Sequence, residues 1–541
     1  MAIRDRIAGI LHDKRSTVYL SGCCFVWALF WGIVLQKGYM IIAHNTPKEI
    51  REMVTVVFAS HFAQGDNLYA ASVLDNAIPA ATSVYGILVP LILAPFVRIF
   101  SFTSLNALQI CETVTLCVEV VGALFFYRLL YRKTSHRLLS VVGMLFFYYC
   151  YWRYDGFGGA FPDQWGVTLS VILMDAVDRD EHRNHYRPGL YAAVIIAMFY
   201  TKQYFVFTVI GLCIYIFMRS KKAFGLLALF GVGGSIVSVF LIDYFFPLYF
   251  SEALVIMQER IGAVSNLKYS LDQIRVLNEV YKGIIILGIL NVFISVYRAI
   301  KNRDLEPFSY EFYQLIFIFP IVTYLAQNGG TSYTYWLQLW YPYVIVCCMS
   351  SAVVIADYIA ALSYSKIKAL CFGIYCMLFA FSFYQMFRAV PWFKCHFMTD
   401  EEKNAWERSY GILEEYSKEG DMLVPRLLSN YCLENNIETA DYGHADCNVP
   451  ITLENYKNSQ LWSHFFLVDY AEALLEKSIH YNDVEIRNKI KEQAYSCIVL
   501  TSMGDYGLSE QEVIDSGYHI LTKEELPAGR AHWEAIFYVK D

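Results

Sequence analysis

Charged residues are scarce in this 541-residue chain: Asp, Glu, Lys and Arg make up 17%, where a soluble domain carries about a quarter. No basic run occurs, which leaves a nucleic-acid partner without its electrostatic footprint. Among the 14 Cys there is no CxxC and no Cys/His zinc spacing. Most of these Cys lie in or beside apolar segments, where a thiol acts as a small hydrophobe. Internal repeats are missing too, and with them the repeated halves common in transporters. What is present in excess is apolar surface. Hydrophobic residues reach 56%, aromatics 17%, and mean hydropathy is +0.37. One water-soluble core cannot hide that surplus, because cores stop growing beyond ~250–300 residues. The composition therefore predicts a protein dissolved in lipid.

A bilayer core of ~30 Å takes ~20 mostly apolar residues per helix. On that measure about eleven spans are expected, at 17–37, 105–130, 137–153, 164–178, 187–201, 203–218, 223–246, 280–298, 309–326, 334–360 and 367–388. The first is too long for the apolar core of a signal peptide and lacks a small-residue cleavage site, so it reads as a retained helix. The apolar stretch 84–102 contains Pro90, Pro95 and Arg98 and reads as an interfacial or half-inserted helix. With 1–16 in the cytoplasm, the inside loops are 13–15, 128–137, 179–187, 219–222, 297–303 and 365–368. All are rich in Lys and Arg, as the positive-inside rule requires.

Eleven crossings put the tail outside. From His396 onward 12 Lys/Arg face 27 Asp/Glu, against 31 and 23 in the remainder, so the two regions suit different surroundings. The expected organisation is an all-α membrane domain over 17–390, with a first outside loop at 38–104, and a small α/β extracytoplasmic domain over 391–541. In the tail, 420–436 and 469–493 read as helices, and 496–501 and 535–540 as buried strands. Outside the cytoplasm, Cys432 and Cys447 form a candidate disulfide.

The outside loops carry the candidate chemistry. Asp66, between Gly65 and Asn67, suits a general base or a metal ligand, and equally an N-cap for a helix starting near Leu68. Asp155 and Asp163 lie in YDGFGGAFPDQWG, where capping again competes with catalysis. Lys202 and Gln203 stand at a hairpin tip, against the positive-inside bias. The lysine either snorkels to headgroups or holds a phosphate as a point charge. In AQNGGTSYTYWLQLWYPY an aromatic belt accounts for Tyr335, while Gln338 is a polar amide within a span and calls for a partner or a ligand. Aromatic faces beside amides suit sugars.

In this order the pieces resemble the GT-C superfamily of membrane glycosyltransferases, and within it the bacterial relatives of protein O-mannosyltransferases and aminoarabinose transferases. The resemblance covers roughly residues 17–390. It rests on GDNLY followed by SVYGILVPLILAPF, then FFYRLLYRK, FPDQWGVTLSVILM, FYTKQYFVF and NGGTSYTYWLQLWYP. It implies a polyprenyl-phosphate sugar donor, inverting transfer to a glycan, lipid or protein acceptor, and a first-loop acid as base. Asp66 would be that base and Asp163 the second acid. Lys202, Gln203 and Tyr85 would meet the donor phosphate, and Tyr335, Gln338 and Asp155 the sugar or acceptor. The chain departs from the pattern in having Tyr85-Gly86 with a later Pro90 in place of consecutive prolines. A basic residue before that segment is also missing, with Ala80, Ala81, Thr82 and Ser83 there instead. No cofactor or metal cluster is indicated, although some branches of the superfamily use a divalent ion. A transporter or lipid-linked sugar flippase, and a non-catalytic envelope assembly protein, are the competing readings.

Overall fold

The computed structural model describes, apart from isolated positions, residues 14–43, 45–47, 52–72, 85–151, 159–256, 309–327, 335–361, 398–435, 486–501, 508–528 and 531–540. The expected spans 280–298 and 367–388 lie largely outside the described residues.

The membrane-type portion is a bundle of α1 (Lys14–Ala43), α2 (Glu52–Gln64), α3 (Leu88–Phe100), α4 (Ala107–Thr134), α5 (Arg137–Tyr148), α6 (Pro162–His182), α7 (Pro188–Thr201), α8 (Thr208–Arg219), α9 (Lys221–Phe245), α10 (Tyr310–Leu325) and α11 (Tyr341–Ala361). Among the described residues four helical stretches are long and apolar enough to cross a bilayer: Tyr19–Ala43, Ala107–Thr134, Lys221–Phe245 and Trp336–Val353. Five shorter apolar helices accompany them. The protein is thus a helical membrane protein. Helix α9 buries only Ala223 and Leu227 and exposes Leu229, Val232, Ile236, Val237 and Phe240, a surface that acyl chains solvate and water does not. Helix α3 has 13 residues, about 20 Å of helix at 1.5 Å per residue, and falls short of the hydrocarbon core. Four other apolar helices of the bundle are similarly short, so length alone does not single out 84–102 as interfacial. Helix α2, inside the first loop, is an element the sequence reading did not anticipate.

Asn106 starts α4 with a capping box, its side chain accepting from the Gln109 N–H while Gln109 answers to the Asn106 backbone. The other end of α4 is basic and is neutralised by acids on α6. Arg132 reaches Asp175 and Asp178 at 2.8 Å each, and Lys133 reaches Asp178 at 2.9 Å and Glu311 of α10 at 3.1 Å. Arg132 and Lys133, which the sequence reading counts among the cations of one leaflet, are therefore paired here. Between the ends, Lys37 of α1 lies 2.6 Å from Glu119 of α4, both buried, with the Tyr148 hydroxyl donating to the same carboxylate at 3.0 Å. A buried pair of this kind persists because each partner cancels the other's desolvation cost.

The tail contributes α12 (Asp400–Tyr416), β1 (Met422–Leu423), α13 (Arg426–Glu434), α14 (Ile486–Lys491), β2 (Cys497–Thr501), α15 (Glu510–Asp515), β3 (Tyr518–Ala528) and β4 (Ala531–Lys540). Its sheet runs β1-β2-β4-β3, with β1 parallel to β2 and the other pairs antiparallel. The helix expected over 420–436 begins late. Met422 and Leu423 pair with Cys497 and Ile498 as a strand, and Pro425 separates them from α13. Strand β3 is unmarked in the sequence because its charged outward residues and Pro527 hide the alternation. Cys432 is a buried free thiol, and Cys447 lies outside the described residues.

Candidate functional site

Pro162 opens α6, where its missing N–H costs nothing, and places Asp163 in the first turn with 1% exposure. The carboxylate does not cap its own helix. Lys202 donates to both its oxygens, at 3.0 and 2.9 Å, and the Tyr204 hydroxyl lies 2.6 Å from Oδ1. Lys202 ends α7 in extended backbone, and a short 3-10 turn, Gln203–Phe207, carries Tyr204 back toward α6. The lysine therefore does not snorkel outward. The Tyr204 hydroxyl also meets Gln338 Oε1 at 2.7 Å, and its ring meets that of Tyr335 edge-on at 4.9 Å. Gln338 sits in a π-helical turn, Trp336–Trp340, just before α11, the kind of helical irregularity that often re-aims side chains at functional sites.

Tyr85 completes the group. Its ring lies under the Lys202 ammonium at 4.8 Å, with the Tyr204 ring at 5.2 Å, so cation–π attraction supports the lysine from two sides. Gly86 makes the approach possible: a Cβ there would fall 2.0 Å from the Tyr200 carbonyl oxygen. Five residues singled out in the sequence, Tyr85, Asp163, Lys202, Tyr335 and Gln338, thus meet around Tyr204. Gln203 is beside them, its amide donating to the Ala253 carbonyl at 3.4 Å.

Asp66 follows α2, whose last turn is closed by Gly65 at φ +101°, where a glycine carries no steric penalty. Residues 68–70 are turn and bend, and the helical turn that follows begins only at Ala71, so Asp66 does not cap a helix at Leu68. Asn67 takes the local capping role by accepting from the Tyr69 N–H at 3.0 Å. The Asp66 carboxylate is half exposed and lies 3.3 Å from His61 Nδ1. Burial pushes the His61 imidazole below its ordinary value, against the opposing pull of Asp66. The first-loop segment shares an end of the bundle with the group around Tyr204: Leu68 and Tyr69 pack in one apolar cluster with Tyr85, Ile87 and Tyr200.

Asp155 lies outside the described residues. Sequence reasoning missed Tyr204 and His61, whose only signal was a polar tip in an aromatic run. It also missed two buried carboxylates. Glu52, at the start of α2, accepts from the Ala160 N–H at 3.0 Å and so ties the first loop to the second. Glu252 lies in a second π-helical turn, next to the residue that Gln203 holds. Among the described residues no three His, Cys, Asp or Glu converge as a metal site.

Two crystal structures of the Archaeoglobus fulgidus oligosaccharyltransferase have the same architecture. The apo form is 11% identical, with a TM-score of 0.51 over 91% of this chain and 73% of that one. The form tethered with an acceptor peptide containing the NVT sequon via a disulfide bond has the same identity and score, over 95% and 73%. The chain shares the fold of that oligosaccharyltransferase. No family profile and no curated protein matches the chain. At this identity the likeness is one of architecture. The group around Tyr204 lies where α6, α7 and the turn before α11 meet.

Proposed function

We propose that this chain is a membrane glycosyltransferase that moves a sugar from a polyprenyl-phosphate donor to an acceptor hydroxyl outside the cytoplasm, with inversion at the anomeric carbon. The observation that carries the reading is the meeting, on this fold, of five residues chosen from sequence motifs spread over 250 positions. Asp66 takes the acceptor proton as general base while the acceptor oxygen bonds to the anomeric carbon. The bond from that carbon to the phosphate oxygen breaks, and polyprenyl phosphate leaves with its electron pair. The half-exposed carboxylate of Asp66 is accessible to an incoming hydroxyl, and His61 holds one of its oxygens.

Asp163, as the second acid, acts by orienting Lys202 toward the donor phosphate. The pair is neutral as a unit, so a phosphate gains charge there only by sharing the ammonium with Asp163. Gln203 and Tyr85 border that position, and Tyr335 and Gln338 offer an aromatic face and an amide to sugar or acceptor. Asp155 is assigned to the same loop side. The N-terminus is placed in the cytoplasm and residues 391–541 outside it.

Purified full-length protein in detergent, given polyprenyl-phosphate sugars, tests the proposal. Release of polyprenyl phosphate, lost in a folded Asp66→Asn variant, is the expected result. A donor bond that stays intact under all conditions would remove the enzyme reading and leave a carrier. Full activity of Asp66→Asn would remove Asp66 as the base.

A further inference from the structure

A cleft of about 390 Å³ lies apart from the group around Tyr204. It is walled by the end of α2, by α3 and the start of α4, and closed on one side by Leu433 and Glu434 of the tail. Its polar groups are unlike one another. Ser60 is buried, and its hydroxyl has no hydrogen-bond partner among the described residues. Arg98 lines the cleft from α3, exposed, and forms no ion pair with the described residues. Gln64 adds a side-chain amide. Glu434 accepts from the Ala107 N–H at the start of α4.

Next to Arg98 the surface is greasy. Phe96, Ile99, Phe100 and Phe102 are all exposed, Phe102 at 81%, while Val89, Leu93 and Val97 face the protein. On the interfacial reading of 84–102, α3 lies along the membrane surface with these aromatics toward lipid. The guanidinium then stands at headgroup depth, at the mouth of a cleft that offers a hydroxyl and an amide further in.

We propose that this cleft binds the headgroup of an anionic membrane phospholipid, a phosphodiester bearing free hydroxyls. Arg98 pairs with the phosphate through its planar fork. Ser60 and Gln64 take the headgroup hydroxyls, and the acyl chains lie along Phe96, Ile99 and Phe100. Glu434 narrows the choice. Its carboxylate in the same cleft repels a dianionic phosphomonoester more than a singly charged diester. This assignment does not depend on the transfer reaction.

The experiment is lipid retention by the purified full-length protein in phosphatidylcholine nanodiscs into which phosphatidylglycerol is titrated, read by native mass spectrometry. Retention of phosphatidylglycerol over phosphatidylcholine by about tenfold is expected, with the preference lost in Arg98→Gln and weakened in Ser60→Ala. Arg98 is exposed, so its replacement leaves the fold intact, and an unchanged thermal transition checks this. Equal retention of the two lipids, or a preference that survives Arg98→Gln, overturns the proposal. Soluble glycerol phosphate binding as tightly as the lipid would make this a free-anion site. Displacement by undecaprenyl phosphate through Arg98 would make it a donor seat. Either outcome overturns the phospholipid assignment.

Discussion

Tyr204 has one hydroxyl proton and two oxygens within 2.7 Å, on Asp163 and Gln338. The charged acceptor takes the proton, and the Gln338 amide then turns its NH2 to the phenol oxygen. A directed chain results, from Gln338 through Tyr204 to a carboxylate that Lys202 neutralises. Removing the lysine strands the carboxylate. Lys202→Met should cost about 3–5 kcal/mol in stability, whereas adding Asp163→Asn should recover much of it. Thermal unfolding of the single and double variants measures this, and additive losses would refute a coupled pair. His61 supplies a second test. Its imidazole is held below 6.5 chiefly by burial, so the folded state binds fewer protons than the unfolded one. Its contribution is complete above pH 6.5 and fades as pH falls through the depressed value. The wild type should lose stability on acidification more steeply than His61→Asn, and parallel slopes would contradict this.

At the level of elements, the site depends on close backbone approaches that side-chain volume controls. Gly86 touches the end of α7 at the Tyr200 carbonyl. Gly86→Ala must push the segment away and draw Tyr85 off Lys202, at a cost of about 1–3 kcal/mol. A lowered thermal transition together with impaired donor turnover is expected, and unchanged values for both would refute it. The motifs carrying Asp163, Lys202 and Gln338 were legible because each combines a polar group with a helix boundary signal in an apolar setting. Tyr204 was not, since a phenol in FYTKQYFVF looks like any other aromatic until its partner is known. Helix α2 was hidden for a related reason. EMVTVVFASHFAQ is buried throughout from Glu52 to Ser60, and without a separate polar face no periodicity distinguishes such a segment from a buried strand. Glu434→Ala tests the joint between tail and bundle. Losing the contact at the start of α4 should speed proteolysis around α13, and an unaltered digestion pattern would mean that the contact does not hold the tail.

Over the whole molecule the fold separates two kinds of charge. Asp163 and Asp175 lie on one helix, 12 residues and so about 18 Å apart along its axis. The first belongs to the candidate site, the second to the ion-pair network with α4. The loop charges of the sequence lead one to expect such a polarity, but nothing in them signals that Arg132 and Lys133 are neutralised within the bundle. Single cysteines placed at Asp66 and at Gln327, a partly exposed residue just after α10, should react with an impermeant thiol reagent from the same side of the membrane. Labelling from opposite sides would forbid a shared chamber.

The Lys37–Glu119 pair has a consequence for how the protein is made. The two residues are 82 positions apart, so at ~5–20 residues per second the ribosome delivers the acid roughly 4–16 s after the lysine. Throughout that interval the first helix carries an ammonium without the carboxylate that meets it in the fold. It must wait at the insertion machinery, or tilt to keep its amine wet, until its mate emerges.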